Sequence, residues 1–241
     1  LNKSEILNIN YDLIFGVPGE TLDGLEYDLN KSIELKPKHI STYLLTIEED
    51  TAFFDLVGKK KFQENTDDEI VNKIELIEDV LKTNNFSQYE ISNYAKDSYV
   101  SKHNLLYWNN SSYLGIGPGA HSHFVDHGKN IYKRWENYHD VKKYISFANT
   151  NQNRFKSLEN FDAGMYIKDS IMMGLRLNTG VNIQKLKSVK DFEFDKSEIS
   201  KLLNLNLIKF ENNYLRLTFK GRQLSNKVLD KIINNINDLT I

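Results

Sequence analysis

The sequence predicts an α/β first half followed by a small, mostly helical, winged-helix-like domain. Three observations carry this prediction: a strand–helix–strand pattern near the start, a second capped helix that leads into a strand, and a tail whose helical stretches flank a hairpin signal. Ile9–Phe15 is β-rich and runs into Gly16-Val17-Pro18-Gly19, a strand ending in a tight turn. Thr21 then caps a helix reaching about Leu35, with Leu22, Leu25, Leu29 and Ile33 along one face. Pro37 closes it, and His39–Thr46 reads as the next strand. Two strands joined by a helix must run parallel, with a right-handed crossover. Thr66-Asp67-Asp68-Glu69 is a capping box opening a helix to about Lys82, striped by Ile70, Ile74, Ile77 and Leu81. Phe86–Ile91 follows as a strand. In the tail, helices are expected over about Asp162–Leu175, Asn182–Ser188 and Lys196–Leu205. Strands at Leu207–Glu211 and Tyr214–Leu217 flank Asn212-Asn213, a two-residue hairpin turn, and a final amphipathic helix runs from about Thr218 to Ile236.

Composition narrows the functional classes. Of 241 residues, 40% are hydrophobic and 12% aromatic, enough to build a core and to exclude global disorder. Cysteine is absent, which excludes disulfides, zinc ribbons, thiol catalysis and a self-contained iron–sulfur site. No apolar run approaches the roughly 18 residues of a membrane span, and Leu1-Asn2-Lys3 opens no signal peptide, so a cytoplasmic location is expected. Charge is uneven: residues 1–150 carry a net charge of −7 and residues 151–241 a net charge of +5. The polar stretch Asn149–Asn153 therefore reads as a linker or long surface loop between domains spanning 1–150 and 151–241. Lys59-Lys60-Lys61 and the basic tail raise nucleic-acid binding. The helix at Lys196–Leu205, however, offers only Lys196 and Lys201, so a solvated face is the better reading and no nucleic-acid partner is expected.

Four groups of residues have chemistry to offer. Asp12 lies within an otherwise apolar strand, where a carboxylate needs a partner: a ligand hydroxyl or cation, the following turn, or a core arginine. Gly16–Thr21 brings glycines before a helix start but lacks both dinucleotide and P-loop spacing, so it also fits an ordinary βα turn. His103-Asn104-Leu105-Leu106-Tyr107-Trp108 sets one imidazole before two aromatics, a pattern suited to a flat conjugated ring and equally to a surface histidine beside core aromatics. Gly115–His123 is small-residue-rich, and His121 and His123 at i, i+2 of a strand would share a face. A divalent metal with His127 or Asp126 completing the set, serving a hydrolase that also uses Asp12, is one reading of them.

Taken in succession, these segments resemble a known family. Asn10-Tyr11-Asp12-Leu13-Ile14-Phe15-Gly16-Val17-Pro18-Gly19-Glu20-Thr21 resembles the late-barrel strand and loop of radical S-adenosylmethionine enzymes of the oxygen-independent coproporphyrinogen III oxidase family. Pro37–Glu48, Tyr89–Ala95, His103–Trp108, Tyr113–Ser122 and, in the tail, Met172–Gly180 continue the match in order over nearly the whole chain. His-Asn-x-x-Tyr-Trp at 103–108 is similar to the haem-chaperone branch, HemW. The resemblance implies the C-terminal part of a partial radical S-adenosylmethionine (β/α)6 barrel followed by the family's C-terminal domain. It also implies S-adenosylmethionine, a 4Fe–4S cluster, haem as ligand and a haem-accepting apoprotein as partner, and it leaves a homodimer open. Asp12 would hold the ribose hydroxyls of S-adenosylmethionine and Ile14 would line that site. His103 would ligate haem iron, with Asn104, Tyr107 and Trp108 shaping the pocket. The family's oxidative decarboxylation of coproporphyrinogen is the alternative activity.

Two departures stand out. The family's Cys-x-x-x-Cys-x-x-Cys motif has no counterpart here, so the chain is expected to be a fragment, inactive by itself as a radical enzyme. Asp97-Ser98 also replaces a usual Pro-Gly, which leaves the loop before His103 less constrained. A strand at Ile9–Phe15 without its preceding neighbours would be an apolar edge with unpaired backbone groups. Expressed alone, the chain is therefore expected to self-associate in size-exclusion chromatography. A monodisperse, cooperatively melting monomer would contradict this.

Overall fold

The computed structural model describes residues 6–49, 51–58, 65–148 and 155–237. These form two compact units, Leu1–Val100 and Ser101–Ile241. The first contains β1 (Asn10–Phe15), α1 (Leu22–Glu34), β2 (His39–Leu44), α2 (Ala52–Gly58), α3 (Asp67–Thr83), β3 (Ser87–Gln88) and β4 (Asn93–Ala95). β1 and β2 pair in parallel, with Asp12 opposite Ser41 and Ile14 opposite Tyr43. The sheet order is β1-β2-β4-β3, so β1 is an edge, and β4 runs antiparallel to both of its neighbours. The pleat of β1 sends Leu13 and Phe15 toward a core built with Leu25, Leu29, Ile40, Ile77, Leu81 and Phe86. Asn10, Asp12 and Ile14 are exposed on the other face.

Both predicted helices of this unit begin at their caps. Thr21 accepts from the Gly24 N–H, and Thr66 and Glu69 form the reciprocal capping box. The strand expected at Phe86–Ile91 is shortened to β3, Ser87–Gln88, and β4, Asn93–Ala95, follows beyond it. The chain bends between them around Glu90, whose fully buried carboxylate accepts from the Asn93 side chain and the Ser92 N–H. Lys59–Lys61 lie outside the described residues.

The turn after β1 is held by a buried ion pair. Lys73 Nζ lies 3.1 Å from Glu20 Oε2, the two side chains being 3% and 8% exposed. Glu20 Oε2 also accepts from the Gly16 N–H at 2.7 Å. Lys73 donates to Asn65 Oδ1 at 2.6 Å, and Asn65 Nδ2 donates to the Gly16 carbonyl at 2.7 Å. Gly16 sits at φ +78°, and a Cβ there would lie 2.7 Å from Leu44 Cδ1. The glycine thus answers a backbone and packing requirement.

The second unit contains α4 (Lys102–Trp108), β5 (His121–Asp126), β6 (Ile131–Asn137), α5 (Val141–Ala148), β7 (Phe155–Asn160), α6 (Ala163–Gly174), β8 (Val181–Asn182), α7 (Ile183–Lys187), β9 (Glu193–Phe194), α8 (Lys196–Asn204), β10 (Ile208–Glu211), β11 (Tyr214–Leu217), α9 (Phe219–Gln223), α10 (Ser225–Ile233) and β12 (Ile236–Asn237). β5, β6 and β7 form an antiparallel sheet. Because β7 returns onto β6, the charge break at residue 150 falls inside this unit, and the polar stretch 149–153 lies outside the described residues.

From α6 onward the order helix, strand, helix, short strand β9, helix, hairpin is that of a winged helix with one added strand, and its sheet is ordered β10-β11-β8. Asn212 and Asn213 take φ +50° and +67°, the left-handed pair a tight hairpin requires. The final helix expected over Thr218–Ile236 is divided. Gly221 of α9 closes so tightly on the wing that a Cβ would lie 1.8 Å from the Leu207 carbonyl oxygen. Leu224 then interrupts the helix at φ −109°, ψ 22°. Beyond α10, Ile236 leaves helical geometry to pair with Phe194. Ile167, Ile171, Leu175, Leu215 and Ile232 centre the core of this unit. Among the described residues no helix is long and apolar enough to cross a membrane.

Replacing one partner of the Lys73–Glu20 pair strands the other as a buried charge. Lys73→Met should therefore cost about 3–5 kcal/mol in urea unfolding, and the Lys73→Met/Glu20→Gln double variant distinctly less. Equal losses in the two variants would show that the pair itself is not the source.

Candidate functional site

The carboxylate singled out in the sequence meets neither a core arginine nor the turn. Asp12 Oδ1 accepts from Asn10 Nδ2 at 2.8 Å, two residues along the same strand face. That bond orients the Asn10 amide and turns its Oδ1 toward β2. There it accepts from His39 Nδ1 at 2.6 Å and from Ser41 Oγ at 3.2 Å. With Nδ1 acting as donor, His39 Nε2 accepts from the Tyr89 hydroxyl at 2.8 Å. The run Tyr89–His39–Asn10–Asp12 thus fixes the carboxylate rotamer from behind while the carboxylate itself is exposed on the sheet face. Ile14, 59% exposed, lies two residues on and on the same face. A carboxylate held this way suits a pair of ligand hydroxyls, because its geometry is set before the ligand arrives. Asp12 was legible from its position in an apolar strand. His39, Asn10 and Tyr89 were not, because their link to it is a cross-strand register and a sequence separation of 50 residues between His39 and Tyr89.

Burial pushes the His39 imidazole below its ordinary pKa, with Asp12 opposing the shift. The neutral ring is the form that can accept from Tyr89 while donating to Asn10.

His103, Asn104, Tyr107 and Trp108 all fall on α4, and the helix separates them. His103 and Tyr107, at i and i+4, share the exposed side: the rings meet edge to face at 5.0 Å, and the Tyr107 hydroxyl lies 3.1 Å from His103 Nε2. Leu106 is exposed beside them. Tyr107 continues onto Tyr113 at 4.6 Å. Asn104 contributes its backbone N–H to the Ser101 cap. Trp108 turns away to line a cavity with α6, β8 and β11, where the Arg176 guanidinium lies 5.6 Å from its ring centre. It does not share a face with His103, because a spacing of five residues rotates the side chain by about 140°.

The metal reading of His121 and His123 is not supported. His123 is 3% exposed, stacks on Phe161 at 5.7 Å and directs Nδ1 to the Ser111 carbonyl at 3.0 Å. His121 is exposed near Glu136, which is already engaged by Lys156 and His139. Among the described residues no three histidine, aspartate or glutamate side chains converge to hold a metal ion. The small residues before them serve close backbone approach: a Cβ on Gly115 would lie 2.1 Å from the His121 carbonyl oxygen. Asn137 Nδ2 ties down the Gly115 and Gly117 carbonyls at 3.2 and 2.9 Å.

Fold and site define a class: an α/β unit with a polar strand face, joined to a winged-helix unit. The E. coli structure titled "Coproporphyrinogen III oxidase (HemN) from Escherichia coli is a Radical SAM enzyme" superposes with a TM-score of 0.68 at 15% identity, over 92% of this chain and 54% of that one. Residues 165–224 match the HemN C-terminal domain. The heme chaperone HemW of Lactococcus lactis is 31% identical over 98% of this chain and 62% of its own length, and that of Bacillus subtilis 30% identical over 95% and 60%. The chain is thus similar to HemN- and HemW-named proteins over nearly its whole length, and it spans about three-fifths of the length of these two relatives.

Two buried imidazoles make stability depend on pH. Burial lowers the pKa of both His39 and His123 from the usual 6.5. As pH falls below about 6.5 the unfolded chain binds protons that the folded one refuses, so stability is lost from there down through the lowered folded values. Asp169, raised by burial, acts in the opposite sense but nearer the carboxylate range around 3.8. The melting temperature should fall between pH 7.5 and 5.5, and His123→Phe with His39→Gln should flatten that slope in scanning fluorimetry.

Proposed function

We propose that this chain is the C-terminal part of a HemW-type haem chaperone that binds haem and passes it to an acceptor apoprotein. The observation that carries the reading is the exposed face of α4. An imidazole stands there beside an exposed leucine and an aromatic edge, the donor and apolar surface that an iron macrocycle requires. Relatives named heme chaperone at about 30% identity support it. His103 would be the axial ligand, Tyr107 would orient its ring, and Leu106 would shield the porphyrin edge.

S-adenosylmethionine fits the first unit in one respect: Asp12 is a preset acceptor for two ribose hydroxyls, with Ile14 as adjoining apolar surface. Such a cofactor, when bound, supplies a radical precursor. These residues would bind and orient its ribose. The cluster is a different matter, because 241 residues without cysteine offer no thiolate, and no step is assigned through it. Decarboxylation of coproporphyrinogen, the alternative activity, has a fold likeness at 15% identity behind it.

Haem titration followed in the Soret band tests the reading. Saturable binding should weaken tenfold or more in His103→Ala and be retained in His121→Ala, an exposed histidine elsewhere. Equal binding by both variants would remove His103 as the ligand.

A further inference from the structure

The cavity beside Trp108 carries a second, unassigned site, independent of the haem reading. It has a volume of about 360 Å³ and lies wholly within the second unit, between α4, α6, β8 and β11. Its wall is mixed. Trp108, Val181, Leu186 and Tyr214 supply apolar surface, Lys185 and Arg216 supply positive charge, and no acidic side chain is among the lining residues.

Buried N–H groups concentrate here without acceptors. Trp108 Nε1 and Arg216 Nε, both on lining residues, have no hydrogen-bond partner, and neither has Nε of Arg176, whose guanidinium lies over the Trp108 ring. Arg216 Nη1 meets the half-exposed Glu211 at 3.7 Å, an interaction that leaves its Nε–H unused. A buried donor without an acceptor keeps the cost of its lost water contacts, and native structures keep few of them. Three in one neighbourhood, with two cations and no carboxylate on the wall, call for an anionic acceptor.

The geometry points to a small-molecule site for a carboxylate carried on an apolar or aromatic body. The planar Arg216 fork and the indole N–H match the in-plane lone pairs of a carboxylate, with Lys185 at the exposed edge adding charge. The Trp108, Tyr214 and Leu186 surfaces match the body. A volume of about 360 Å³ sits at the lower end of ligand pockets, which excludes an entire macrocycle and admits a single ring with a short acid arm.

The chain has two tryptophans, so Trp135→Phe leaves Trp108 as the sole indole reporter. In that background, benzoate, 3-phenylpropionate and 4-phenylbutyrate are titrated against tryptophan emission, with the matching amides and inorganic phosphate as controls. At least one acid should give a saturable change. Its amide should bind at least tenfold more weakly, and so should phosphate. Arg216→Met and Lys185→Met should each weaken the acid tenfold or more. Lys185 is exposed on a short surface helix, so its variant reports even if Arg216→Met fails to fold. No saturable change with any acid, equal binding of acid and amide, or an unaffected Lys185→Met would each overturn the site. Phosphate binding as tightly as the acids would overturn the carboxylate assignment.

Discussion

The pleat of β1 is the constraint on which the first unit turns. Alternate residues must face opposite sides, and Leu13 and Phe15 are committed to the helix-packed core. Asn10, Asp12 and Ile14 are thereby committed to the other face together. A one-residue slip would bury Asp12 and expose Phe15, so the hydrophobic effect that holds the core also aims the carboxylate. The parallel register with β2 then brings His39 and Ser41 within reach of Asn10, and the carboxylate gains its orientation from residues that never touch it.

What keeps that strand end in place is polar. Glu20, Lys73 and Asn65 together satisfy the N–H and the carbonyl of Gly16, at a position where only glycine fits against Leu44. The arrangement is a fully paired buried network, the condition under which a buried charge is tolerated. In the second unit the same rule is kept in one place and broken in another. Arg134 donates to Asp169 and Glu159, whereas the donors around Trp108 have no acceptors. Single buried atoms such as His123 Nε2 and Gln223 Nε2 also lack partners, but around Trp108 three such donors gather beside one cavity.

α4 shows how a motif divides between roles. Six residues read as one constellation in sequence become two surfaces on a helix. His103 and Tyr107 meet solvent, and Trp108 is given to a cavity wall. Spacing alone states which side chains are neighbours on a helix. It does not state which side of the helix the rest of the chain will cover.

Several features were determined by sequence alone because their causes are local. Thr21 and Thr66 start their helices by accepting the nearby N–H groups, Asn212-Asn213 turns the wing because asparagine tolerates positive φ, and Asp12 announces itself as a carboxylate in an apolar strand. The ordered motifs from Asn10 to Gly180 likewise carried the family resemblance. Other features depend on contacts between distant residues, and only the tertiary structure decided them. The tail helix divides at Leu224, β7 joins the sheet before it across the charge break, and His123 is buried under Phe161 instead of standing free as a ligand. The orientation of Asp12 is of the second kind too. It rests on an amide, an imidazole and a phenol drawn from three strands and loops, and their convergence is a property of packing that no local pattern encodes.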